Sequence, residues 1–346
     1  MPRQRRPREE REPEEAEEEG WKSWVRDIAI AVLVMAVVLA AIFAYTQVWP
    51  PLVVIESSSM QHGDTTSAIG VIDTGDLVFV QAAPTRADVV TYVQGRATGY
   101  NTYGDYGDVI VFRLSRNPSA TPIIHRAIMY VIPNGTSLAN VPDLAALPSS
   151  QWEGYRNGLP VTGTNGLSAV TIHEMGYEHD LGITFNLAYF ANAFRQPGYI
   201  TMGDNNAYHA CIPGRDPCSS ATPYDTLWFP AQGDIIGHAR GEIPWFGLIK
   251  LLLAPADGCA DYWGSPCAPQ NSWNDLAISL VVLLALPFIV EAVGWAWSKY
   301  AWPRIKPLLR RKGKEGAPPP EESAVSEEPS EAPPSEGGPK EGSSGP

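Results

Sequence analysis

The stretch IAIAVLVMAVVLAAIFAYTQVWPPLVVIESSSM, residues 28–60, decides how the chain is read. Its first part, Ile28 to Tyr45, is an unbroken apolar run of about 18 residues, which at about 1.5 Å of rise per residue nearly spans a hydrocarbon core of about 30 Å. It reads as a retained transmembrane helix: it is longer than the usual apolar core of a cleaved leader, and Thr46 to Pro51 holds no small-x-small cleavage site. Its last part, Leu52 to Met60, is a β-branched strand that breaks into a turn of small hydroxyl residues.

Working outward, a second apolar segment runs from Leu276 to Trp297, interrupted by Pro287 and carrying Glu291, with Trp273, Trp295, Trp297, Tyr300 and Trp302 around its ends as in an interfacial aromatic belt. Arg3, Arg5, Arg6, Arg8, Lys22 and Arg26 precede the first run, and Lys299, Arg304, Lys306, Arg310, Arg311, Lys312 and Lys314 follow the second. The positive-inside rule then sets both termini in the cytoplasm and the intervening chain outside a cell membrane. The net charge of −13 arises largely at the two ends, Arg8 to Glu19 and Glu315 to Glu341, where acidic residues alternate with Pro, Gly and Ser. Both ends are expected to be disordered, and the balance gives no support for nucleic-acid binding. The expected organisation is a disordered cytoplasmic segment at 1–26, a transmembrane helix at 27–48, an external β domain at 49–255 with an insertion at about 133–200, an external linker at 256–273, a transmembrane helix at 274–298, and a basic then acidic tail at 299–346. Cys211 with Cys218, and Cys259 with Cys267, would form two short disulfide loops in the oxidising exterior; neither pair has the tight spacing of zinc ligands.

The external segment is mainly β. Strand-like stretches at Leu52 to Ile55, Leu77 to Gln81, Val109 to Phe112, Ile123 to Ile128 and Ile235 to Ala239 are separated by Gly, Asp, Asn and Pro turn signals. The twin phrases Gly75-Asp76 and Gly107-Asp108 read as strand starts and not as catalytic carboxylates. From Pro133 to Asn186 the pattern weakens into Gly- and Asn-rich sequence, an inserted subdomain or a set of long loops, within which Asn134-Gly-Thr136 matches a glycosylation acceptor. Ile243 to Leu253 is apolar but too short to span a membrane, so it either dips into the outer interface or completes the core.

Ile55-Glu56-Ser57-Ser58-Ser59-Met60 exposes hydroxyls at a strand end, close to the bilayer by the shortness of the chain that leads to it. A serine hydroxyl needs a base to take its proton. There is no lysine between Lys22 and Lys250, so the base must come from His62, His125, His173, His179, His209 or His238. His125 stands out in Pro122-Ile-Ile-His-Arg126, an apolar strand in which a polar ring needs a partner. A carboxylate to orient it is available in the turn Gly203-Asp204-Asn205-Asn206 or at Asp216-Pro217.

Taken in this order, the residues resemble the archaeal and eukaryotic-type branch of the signal peptidase I family. Ser57-Ser58-Ser59-Met60 after a hydrophobic anchor matches that family's Ser-x-Ser-Met; Gly107 to Phe112, His125-Arg126, Gly203 to Asn206 and Asp234 to Gly237 match later motifs. The resemblance covers the anchor and roughly Val53 to Gly241, with the insertion unmatched. It implies a signal peptidase-like external β domain and a serine endopeptidase that removes signal peptides after small residues, with Ser59 as nucleophile and His125 as general base. The Ser59 amide and the Ser57 hydroxyl would hold the oxyanion, and Asp204 and Asp216 would divide the carboxylate roles between them. It implies no cofactor and no metal, and its partners would be signal peptides of secreted preproteins, the lipid bilayer and the translocation machinery. The chain departs from the family after Met60, where Gln61-His62-Gly63 replaces a Pro-Thr type continuation, and Asp216 follows the Gly-Asp-Asn turn at a greater distance than the family's second aspartate does. Two other readings compete: a metal hydrolase using His173-Glu174 and His179-Asp180, whose spacing is not His-Glu-x-x-His, and a catalytically inactive, membrane-tethered scaffold of the same fold.

Overall fold

The computed structural model describes residues 13–114, 116–211, 217–218, 222–256, 259 and 262–305, with backbone alone for 13–20. In chain order these form α1 (Pro13–Thr46), β1 (Leu52–Val54), β2 (Leu77–Gln81), α2 (Tyr92–Thr98), β3 (Asn101–Thr102), β4 (Asp105–Tyr106), β5 (Val109–Phe112), β6 (Ile123–Pro133), β7 (Ala139–Asn140), β8 (Trp152–Arg156), β9 (Leu159–Val161), β10 (Ala169–Met175), β11 (Leu181–Phe185), α3 (Leu187–Phe194), β12 (Gly198–Met202), α4 (Asp204–Ala210), β13 (Ile235–Ile243), α5 (Gly247–Leu253) and α6 (Gln270–Ala296). The chain divides into two units, residues 1–281 and 282–346. Apart from the two long helices the described residues are β-rich.

Two helices are long and apolar enough to cross a membrane, Trp21–Thr46 and Gln270–Ile305. The first corrects the expectation of disorder up to residue 26, because helix α1 already begins at Pro13. Residues 1–12 and 306–346, including the acidic tail, lie outside the described residues.

The main sheet runs β1-β2-β13-β5-β6-β12, with β7 on β6, and every pairing is antiparallel. All four residues of β5 are buried, as its uninterrupted Val-Ile-Val-Phe requires of a central strand covered on both faces. The insertion is an ordered four-stranded antiparallel sheet, β11-β10-β8-β9. After it, β12 from Gly198 onward belongs to the main sheet. Ile128, Met129, Ile200 and Met202 of the main sheet share one apolar core with Val170, Ile172, Ile183 and Phe185 of the inserted sheet. At about 25 cal/mol per Å² of apolar surface, burial on that scale holds the two sheets together. Gly203 to Asn206, read from sequence as a turn, instead opens helix α4 with Gly203 as its cap. In α5, Leu248 and Leu251 pack with Trp273 and Leu276, while Leu253 is 84% exposed, so the short apolar stretch completes a core on one face and leaves the other free. Both cysteine pairs are bonded, Cys211 to Cys218 and Cys259 to Cys267.

The twin Gly-Asp phrases do start β2 and β5, but their carboxylates meet opposite surroundings. Asp76 accepts backbone N–H groups from Asp73 and Trp245, at 2.8 and 2.9 Å. Burial is the main cause that pushes it up to about 7, helped by the nearby carboxylates of Glu242 and Asp73. Burial by itself would raise Asp108 as well. There the bonds from His238 and the Val90 N–H, with Arg240 2.7 Å away, outweigh it and hold the group at about 2.

A raised carboxyl contributes stability that is complete below its unfolded value near 3.8 and is lost as pH climbs through about 7. The Tm of Asp76→Asn, followed by calorimetry, should therefore gain on that of the parent protein as pH rises from about 4 to about 8. A pH-independent difference would exclude Asp76 as the source.

Candidate active site

Ser59 lies on a loop anchored at both ends. Ile55 before it and Met60 after it are buried together with Ile72, Val78 and Val109. The side-chain oxygen of Gln61 accepts from the backbone and hydroxyl of Thr74. From the other side, the Asn205 N–H donates to the Ser59 carbonyl at 2.9 Å and its side-chain amide to the Ser58 carbonyl at 3.1 Å. Gly203 is needed for this approach, because a Cβ there would stand 2.5 Å from the Ser59 carbonyl oxygen. The serine loop is thus gripped between the core and the first turn of α4.

His125 sits on β6 opposite Ile110 of β5, and its ring reaches Ser59: Nε2 is 3.1 Å from Oγ. Its Nδ1 lies 2.6 Å from Oδ2 of Asp225, which also accepts from the Thr201 hydroxyl at 2.7 Å. With Asp225 ionised, Nδ1 carries the proton and donates to it, leaving the Nε2 lone pair to accept the Ser59 O–H. This is the geometry in which an imidazole withdraws a hydroxyl proton and a carboxylate steadies the resulting imidazolium. Ser57 Oγ stands 3.3 Å from Ser59 Oγ, on the exposed side of the loop.

The carboxylate on His125 is not one that the sequence singled out. Asp204 points instead to Arg126, whose Nε and Nη2 donate to its two oxygens at 2.8 and 2.6 Å, and to His62 Nε2 at 3.1 Å. Successive residues of a strand alternate in direction, so His125 and Arg126 take different partners. Burial alone would raise Asp204, but the Arg126 guanidinium, with His62, brings it below the usual carboxylate range. Of the two roles open to Asp204, orienting acid or support, the structure shows it away from His125 as the counter-ion of a fully buried arginine. Asp216 lies outside the described residues. Asp225 comes to His125 because, beyond the Cys211–Cys218 loop, the chain returns beside β12, where its N–H donates to the Thr201 carbonyl at 3.0 Å. In the sequence it was marked only by being a further acid downstream of the Gly-Asp-Asn phrase.

The other histidines face elsewhere. His209 meets Asp64, His238 meets Asp108 and Gln81, and His173 lies 3.8 Å from Glu153. The residues of the metal-hydrolase reading are dispersed: Glu174 pairs with Arg96, Asp180 accepts from Tyr208, and the His179 ring lies against Tyr106. Among the described residues, no group of three or more His, Cys, Asp or Glu could hold a metal ion. Lys250, the only lysine between Lys22 and Lys299, pairs with Glu56 and not with Ser59.

The two aspartates are separable by experiment. Asp225→Asn should slow phosphonylation of Ser59 by an active-serine probe by about 10³- to 10⁴-fold while leaving the Tm nearly unchanged. Asp204→Asn strands a buried guanidinium and should cost about 3–5 kcal/mol in denaturant unfolding. No family model and no curated protein matches the chain, and the function of the site rests on its own chemistry.

Proposed function

We propose that the chain is a membrane-anchored serine endopeptidase of the signal peptidase I type, which cuts leader peptides from exported preproteins at the outer face of the membrane. The observation that carries this reading is the relay from Ser59 Oγ through His125 to Asp225, at 3.1 and 2.6 Å, on a loop about a dozen residues beyond an apolar helix. In the reaction, His125 Nε2 takes the Ser59 proton as Oγ attacks the carbonyl carbon of the scissile peptide. The Ser59 amide and the Ser57 hydroxyl receive the oxyanion, each such donor contributing on the order of 3 kcal/mol to the barrier. The imidazolium then gives its proton to the departing amine, and water, activated by the same ring, releases the acyl group from Ser59.

The substrate lies extended across the site, with alternate small residues in shallow pockets, so that an Ala-x-Ala-like sequence is read. Both apolar helices span the cell membrane, both termini are cytoplasmic and the β domain is external, where the two disulfides suit an oxidising surrounding. Partners of this activity are the signal peptides of preproteins emerging from the translocation machinery, and the bilayer itself.

The reading is tested with the full chain in proteoliposomes and a membrane-inserted preprotein bearing a small-x-small site. Ser59→Ala and His125→Ala should each lower the cleavage rate by about 10⁴-fold or more. Cleavage at the parental rate by either variant overturns it.

A further inference from the structure

Of the three members of the relay, Asp225 has the least regular support. Ser59 lies on a loop clamped from both sides and His125 on β6, whereas Asp225 belongs to a segment, 222–230, that is neither helix nor strand. Its neighbours are well anchored. Tyr224 is buried in the core shared with the inserted sheet and accepts the Asn186 N–H at 2.9 Å, and the Thr226 carbonyl accepts the Tyr189 hydroxyl at 3.1 Å. The Asp225 side chain keeps 12% of its surface exposed, and Thr201 of β12 holds the residue at two points. The Asp225 N–H donates to the Thr201 carbonyl at 3.0 Å, and the Thr201 hydroxyl donates to Asp225 Oδ2 at 2.7 Å. That oxygen is the one His125 Nδ1 meets at 2.6 Å.

A break in strand register puts Thr201 there. Along β12, Ile200 stands opposite Met129 of β6, and a regular antiparallel ladder would next set Thr201 opposite Ile128. The register shifts by one residue instead, and Thr201 stands opposite Ala127. Ile128 belongs to the core shared with the inserted sheet, whereas Ala127 packs in a separate cluster with Ile110, Phe112 and Tyr199. Strand residues two apart share a face, so Ala127 points the same way as His125, whose partner across the strand pair is Ile110. A bulge of this kind re-aims a side chain. Here it turns the Thr201 hydroxyl to the face that carries His125. Thr201 is fully buried and branched at Cβ, which stiffens χ1 and presets the direction of its donor.

We infer that Thr201 is a positioning residue: its hydroxyl holds the Asp225 carboxylate in the orientation in which Oδ2 receives the His125 Nδ1–H, and so keeps Nε2 directed at Ser59. The inference rests on the peptidase reading above. An ionised carboxylate only accepts, so the Thr201 hydroxyl and the imidazole both aim a proton at the same oxygen. Without the hydroxyl, Asp225 loses a charge-assisted hydrogen bond and turns toward its exposed side. The imidazole then loses the partner that fixes its tautomer and its tilt. Thr201 acts on Ser59 only through these two side chains.

The test uses the full chain in proteoliposomes with a membrane-inserted preprotein bearing a small-x-small site, and compares the parent with Thr201→Val and Thr201→Ser. Valine keeps the branched shape and loses the donor; serine keeps the donor. Thr201→Val should lower kcat by about tenfold to hundredfold with KM little changed, as expected when a hydrogen bond to a charged group no longer orients the base. Thr201→Ser should restore kcat to within about threefold of the parent. A second arm measures phosphonylation of Ser59 by an active-serine probe, with Thr201→Val placed in the parent and in Asp225→Ala. A residue that acts only through Asp225 costs nothing further once that carboxylate is gone, so Thr201→Val should slow labelling in the parent and leave it unchanged in Asp225→Ala. An equal loss in both backgrounds overturns the inference, as does a Thr201→Val that cleaves at the parental rate or a Thr201→Ser as slow as Thr201→Val. Should Thr201→Val fail to fold, Thr201→Ala takes its place in both arms. Ser59→Ala, run in parallel, separates the two levels: an inactive Ser59→Ala beside an unaltered Thr201→Val removes only the role of Thr201, whereas cleavage by Ser59→Ala removes the peptidase reading itself.

Discussion

The site depends on one buried ion pair. Arg126 follows His125 on β6, and Asp204 opens α4, the helix whose Asn205 holds the carbonyls of Ser58 and Ser59. Joining Arg126 to Asp204 therefore fixes the strand that carries His125 against the helix that holds the Ser59 loop. A guanidinium with no exposed surface tolerates no alternative arrangement, because removing either partner leaves a bare charge in the interior. Arg126 Nη1 stands within 3.2 Å of four carbonyls of the β3–β4 region, which accept its two protons and extend the constraint to a third segment.

Carboxylates are used in this domain according to what lies beside them, not according to the local phrase that contains them. Asp76 and Asp108 both follow a glycine at the head of a strand. One is raised by burial and neighbouring acids and the other held low by His238 and Arg240. Asp225 and Asp204 both lie near the site, yet one bonds an imidazole that in turn bonds Ser59 and the other pairs with a guanidinium. Chemistry is thereby separated from scaffolding by partner choice.

The inserted sheet is more than an appendage. It shares its apolar core with β6 and β12, the strands that carry His125 and Thr201, and its β10–β11 turn reaches the serine loop through Tyr177. Tyr208 of α4 packs against the same tyrosine and bonds Asp180, so the insertion touches both sides of the grip on Ser59. At the other edge of the domain, Lys250 of α5 pairs with Glu56 at the start of the loop. Segments far apart in sequence thus converge on a few residues.

What could be read from the sequence was what local chemistry dictates. The apolar runs, the strands at Leu77 to Gln81 and Val109 to Phe112, the cysteine spacings and the hydroxyl turn at Ser59 depend on periodicity and composition within a short window. His125 stood out for the same reason, as a polar ring in an apolar strand. The partner of that ring did not, because Asp225 reaches it only through the pairing of its backbone with Thr201 after a disulfide loop, and no local pattern encodes such a return. Gly203 to Asn206 looked like a turn because all four of its residues favour turns in isolation. Docking against Ser59 and Arg126 makes it the start of a helix instead. Sequence alone determined which groups were available and which segments were extended or apolar. Tertiary structure decided which carboxylate faces which cation, because burial makes every charge find its partner across the whole fold and not along the chain.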